Sequence, residues 1–192
     1  MLSLVFSDYR LIAQDLLAFG LILAAFIWGG GPEKAVAAVW LVVFEVIGWL
    51  HKALFGAGYV LLDVDPFLAG KDFAAGVLWL IIALYANRNW TLWVAGTQML
   101  AIGAHVARAV ADAVSPVAYA TMVIAPGWIQ LFLLAAGLVR HVLRTREHGA
   151  YRSWRIGPGG QTLPIVARIG NWKRAVLGVL PGRSGTSRDA TP

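Results

Sequence analysis

The chain has 192 residues, of which 59% are hydrophobic and only 14% charged, and its mean hydropathy of +0.68 is too apolar for one soluble domain and points to several membrane spans. Formal net charge is +6, with ten of the 16 Lys and Arg residues lying from Arg140 onward against two acids, Glu147 and Asp189. There is no cysteine, which excludes disulfides, thiolate catalysis and Cys-based metal sites.

The N-terminal MLSLVFSDYRLIAQDLLAFGLILAAFIWGGG lacks the basic start and small-residue cleavage site of a secretory signal and carries Asp8 and Asp15 instead. It reads as a retained first span, about 9–28, ended by Gly29–Gly31 and Pro32. A second helix follows at about 34–54 and closes on His51 and Lys52. The apolar run Phe73–Ala86 is 14 residues, only about 21 Å at 1.5 Å per residue, short for a core of roughly 30 Å. Asp65-Pro66, however, reads as an N-cap followed by Pro at the first helical position, and a helix over 66–87 is long enough to span. Lys71 and Asp72 then lie just inside it, with Lys71 able to snorkel outward. Asn87-Arg88-Asn89 is a tight polar turn into a fourth helix, 90–112. Ser115-Pro116 caps a fifth, 116–139, with a kink expected at Pro126-Gly127.

The fold class is therefore all-α, a polytopic membrane helical bundle of five transmembrane helices over residues 1–146. A basic cytoplasmic tail, 147–192, follows. The alternative is four spans with the third segment re-entrant. The tail is partly disordered in composition, with an interfacial amphipathic helix expected over 164–180 that would contact anionic lipid. Arg140, Arg144, Arg146, Arg152 and Arg155 crowd the exit of the last span and place the C-terminus in the cytoplasm. The Ala-, Gly-, Val- and Arg-rich composition resembles that of bacterial inner-membrane proteins. Tyr9, Trp28, Trp49, Tyr85, Trp90, Trp93 and Tyr119 fall near span ends, as an interfacial belt would.

On the fourth helix, Thr91, Gln98, Ala101, His105, Arg108 and Asp112 share one side, within about a third of a turn. Ionisable groups in lipid normally face a bundle interior. In the five-span reading Asp15, Glu45 and His105 lie in the outer half, with His51, Arg108 and Asp112 nearer the surface. Asp15, Glu45, Gln98, His105 and Arg108 are accordingly the candidates for a proton-handling or binding site, in which Asp15 or Glu45 pairs with Arg108 and exchanges protons with His105. Each has a plainer use: Arg108 snorkelling, Gln98 as interhelical glue, His105 as a packing residue, and the carboxyls as neutral hydrogen-bond donors.

His51 and His105 at matched depth form a possible ligand pair for a b-type haem or a metal, but no further pattern supports them and no cofactor is expected. Thr91, Thr97 and Ser115 have no base arranged with them, and no nucleotide-binding, nucleophile-elbow or zinc-protease motif occurs, so enzymatic activity is not expected. Nucleic acid is not an expected partner of the basic tail. Two functions follow: a membrane protein whose polar site handles a proton, ion or small solute, or a non-catalytic subunit or scaffold. The second would join a homo-oligomer or larger membrane complex and recruit a partner or anionic lipid through its tail.

Overall fold

The computed structural model describes residues 8–56, 64–111, 113–149 and 153–154. The chain divides into two units, Met1–Trp154 and Arg155–Pro192, and the described residues all belong to the first. The expected interfacial helix at 164–180 and Asp112 lie outside them. The described residues of the first unit form five helices: α1 (Asp8–Trp28), α2 (Gly31–Phe55), α3 (Pro66–Tyr85), α4 (Asn89–Val110) and α5 (Pro116–His148).

Local chemistry sets the helix ends. Asp65 caps α3, its Oδ1 accepting from the Phe67 and Leu68 amides at 2.8 and 3.1 Å, with Pro66 in the first turn. Ser115 caps α5 by accepting from the Ala118 amide at 3.2 Å. The last helix continues through Pro126 to His148, past the expected end at Val139. The segment Arg140–His148 holds Arg, Leu and Glu, which are good helix formers whether or not lipid surrounds them. Gly149, at φ 72°, stops it, its amide donating to the Thr145 carbonyl. Within α2, residues Trp40–Val46 form a π-helical segment that contains Glu45; such wide turns recur at functional sites.

The long helices α3, α4 and α5 pack side by side with α4 between the other two, and the α1–α2 hairpin lies against α3 and α5. Two ends result. The upper end holds the starts of α1, α3 and α5 and the ends of α2 and α4; the lower end holds the α1–α2 and α3–α4 turns. At the core, Trp40 packs tilted against Phe44 at 4.8 Å and Phe44 stacks on Trp79 at 5.8 Å, joining α2 to α3 through fully buried Trp79.

Around this apolar core the outer surface is unlike that of a water-soluble bundle. Alanines 18, 25, 37, 75, 83, 95, 101, 104 and 120 are buried together with Asp72, Gln98, His105 and Gln130, whereas Leu16, Leu23, Trp49, Phe55, Phe73, Trp93, Val106 and Phe132 stand outward. Large exposed apolar surface over small and polar interiors suits a solvent of lipid tails. Among the described residues three helices, Gly31–Phe55, Pro66–Tyr85 and Pro116–His148, are long and apolar enough to cross a membrane. Helix α1 adds a shorter apolar stretch, Ile12–Trp28, and the 22-residue α4 carries the polar residues.

Close approach of α4 to α5 depends on Gly137, where an added Cβ would lie 2.5 Å from Trp90 Cε2. A rigid indole cannot yield at that distance without shifting the helix. Gly137→Ala should therefore cost roughly 1–3 kcal/mol, read as a lowered melting temperature of the detergent-solubilised protein. An unchanged Tm would show that the two helices do not meet at this level.

Candidate functional site

The α3–α4 turn puts the two helices in antiparallel register, so a residue fifteen positions before Asn87 is level with one fifteen after it. Asp72 is thus level with Ile102, and one turn to either side of Ile102 along α4 stand Gln98 and His105, both on its buried face. Gly76, one turn below Asp72, lacks the Cβ that would lie 2.8 Å from Ile102 Cδ1 and 3.4 Å from Gln98 Cγ. That missing methyl lets α4 come close enough for side chains to bridge.

A continuous chain of hydrogen bonds results. Gln130 Nε2 on α5 donates to Gln98 Oε1 at 2.7 Å. Gln98 Nε2 in turn donates to the Asp72 carbonyl at 3.1 Å and to Asp72 Oδ1 at 3.0 Å. The other carboxylate oxygen, Oδ2, lies 2.8 Å from His105 Nε2. His105 Nδ1 lies 2.9 Å from the Tyr119 hydroxyl on α5, with the two rings edge-to-face at 5.5 Å. All five side chains belong to residues between 0% and 5% exposed. Because each polar atom at Asp72 and His105 has a partner, the arrangement meets the demand that buried polar groups be satisfied.

Its chemistry follows from the inventory of donors. With His105 neutral, Nε2–H donates to the Asp72 carboxylate and the Tyr119 hydroxyl donates to Nδ1. A proton at Nδ1 would reverse that bond, with the hydroxyl turning to accept.

A second polar group occupies the same end on the other side of α3. Glu45, in the π-helical segment of α2, feels the charges of Asp15 and Lys71. The Lys71 ammonium lies over the Phe44 and Phe67 rings at 5.7 and 5.6 Å. Lys71 is 7% exposed, so it does not snorkel outward as its place near the helix start suggests; the two aromatic rings flank it inside the bundle. His51, at the end of α2, stacks on Phe67 with ring centroids 3.7 Å apart. The lower end holds a third group: fully buried Glu33 meets Arg88 Nε at 3.5 Å, and Arg88 Nη2 lies 3.3 Å from His141 Nδ1. There Ala86 and Trp154 form a bridge, and the Trp154 indole sits where a side chain on Gly31 would otherwise stand.

The sequence-derived candidates thus separate into two clusters. Gln98 and His105 meet on the inner face of α4, with Asp72 as their carboxylate. Asp15 and Glu45 share the Lys71 cluster, and Glu45 is half-buried while Asp15 is exposed. Arg108 Nη1 donates to the Val114 carbonyl at 2.7 Å, bracing the α4–α5 turn. The His51–His105 pair does not present itself as a metal or haem site in this arrangement, because both ring nitrogens of His105 are engaged by Asp72 and Tyr119. Among the described residues no group of three or more His, Cys, Asp or Glu could hold a metal ion. Tyr119 is wholly buried rather than part of an interfacial belt, drawn in by His105.

Asp72, Tyr119 and Gln130 escaped sequence reasoning. For Asp72 the missing signal was the hairpin register, which brackets it with Gln98 and His105. The pair's strength is open to a double-mutant cycle of Asp72→Ala and His105→Ala in thermal or denaturant unfolding. A coupling of about 1 kcal/mol is expected for an interhelical bond in a membrane bundle, and none if the two side chains do not meet. No known protein family, curated protein or solved structure matches the chain.

Proposed function

We propose that this chain is a five-span inner-membrane protein, with its tail in the cytoplasm, whose Asp72–His105–Tyr119 cluster carries a proton within the upper, outer half of the bundle. The observation behind this reading is the unbroken hydrogen-bonded chain across three helices, with an imidazole between a carboxylate and a hydroxyl. Histidine is the side chain whose ordinary titration range lies nearest neutrality, and a carboxylate within a span costs about 2.5–3.5 kcal/mol on insertion scales, a cost that function would justify. Glu45, near Asp15 and Lys71, offers a second proton-exchanging carboxyl on the opposite side of α3.

Proton movement is measured directly. Full-length protein in liposomes loaded with a pH-sensitive dye is given a pH step, and Asp72→Asn and His105→Gln are compared with the parent. Both variants retain hydrogen-bonding shape but cannot carry the proton, so proton entry should fall by about tenfold or more with little change in Tm. Equal rates in parent and variants would defeat the proposal.

The complete satisfaction and burial of the chain support a second reading, a scaffold in which these bonds serve only assembly. In that case the same substitutions change Tm or oligomer yield and leave proton entry untouched. The span count is tested separately by single cysteines at Ser3, Gly58 and Ser187, since the chain has none of its own. An impermeant thiol reagent applied to intact cells should label the first two and spare the third; labelling of none would favour four spans.

A further inference from the structure

At the lower end, the last turns of α5 run past the α3–α4 turn and leave a pocket of about 400 Å³ lined by Asn87, Arg88, Trp90, Arg140, Arg144 and Glu147 among others. This volume falls in the range of small-molecule sites. Nothing in the Asp72–His105 chain reaches it, and its composition is different in kind.

Three guanidinium groups border this space. Arg140 and Arg144 stand one turn apart on the same face of α5, which sets two positive charges side by side. Arg88 joins from the facing turn, steadied from behind by Glu33 at 3.5 Å and by His141 at 3.3 Å. Because Glu33 offsets Arg88, the net positive charge comes from the α5 pair, and Glu147 is the acid among the described lining residues. The first turn of α4 supplies Asn89 and Trp90 to the same wall. Its N-cap, Arg88, makes no side-chain cap, which leaves amide donors of that turn to an anion. The Trp90 indole packs against Gly137 on α5.

Planar forks and helix-start amides reach this space from several directions, which suits a tetrahedral oxyanion. We propose that this pocket binds the phosphate group of a phosphate-bearing anion. Its place beside the basic exit of a membrane-length helix makes the phosphodiester of an anionic phospholipid the natural source, and a free phosphate compound is the other.

Isothermal titration of the full-length protein in neutral detergent tests this with two probes, dioctanoyl phosphatidylglycerol and inorganic phosphate. Saturable binding is expected, weakened about tenfold or more in R140Q/R144Q through loss of two charge-assisted contacts. R140K/R144K, which keeps the charge but not the fork, should fall between. Both arginines are exposed, so the melting temperature should hold; if R140Q/R144Q fails to melt cooperatively, the lysine variant carries the comparison. Tighter binding of the lipid assigns the pocket to headgroups, and equal or tighter binding of inorganic phosphate assigns it to free phosphate compounds. No saturable binding of either probe, or binding unchanged in R140Q/R144Q, overturns the proposal.

Discussion

A carboxylate carried into an apolar bundle has to find its hydrogen bonds there, and much of the arrangement of α3, α4 and α5 meets that requirement for Asp72. One oxygen is taken by Gln98 and the other by His105, which fixes the rotation of α4 about its axis and its sliding along α3. Gln98 is then completed by Gln130, and His105 by Tyr119, which draws α5 in at two levels. Apolar packing alone would not choose this register, since lipid tails solvate a leucine about as well as another helix does.

Helix α3 serves two neighbourhoods through consecutive residues. Lys71 and Asp72 project about 100° apart, so one is held among Phe44, Phe67 and the acids of α1 and α2 while the other enters the α4 side. The α1–α2 hairpin and the α4–α5 pair thus meet different faces of a single helix. At the opposite end Glu33 and Arg88 join α2 to the α3–α4 turn, so buried charge occurs near both ends and the middle is mostly alanine and large apolar residues.

Helix ends were legible because their signals are local. Asp65-Pro66 and Ser115-Pro116 are complete N-cap signals in adjacent residues, and the polar stripe of α4 could be phased without knowing its neighbours. Partner choice was not legible, because it depends on the rotation of other helices. Asp15, Glu45 and Asp72 all lie toward the upper end, and only the register of the α3–α4 hairpin, counted from Asn87, distinguishes Asp72 as the one within a turn of the level of His105. Lys71 and Tyr119 look interfacial from their distance to a helix start, yet each is drawn inward by a partner distant in the chain. The extent of α5 was misjudged for a different reason: hydropathy reports where apolar residues stop, whereas the helix stops where Gly149 turns it.

That extent has a mechanical consequence. At 33 residues, α5 is about 50 Å long, and the same rod carries Tyr119 and Gln130 of the upper network and Arg140 and Arg144 of the lower pocket. A turn about its axis is transmitted along its length, except as absorbed near Pro126, where one backbone hydrogen bond is missing. The rod thus ties the two ends together, so that a displacement of α5 as a body moves Tyr119 and Arg140 with it.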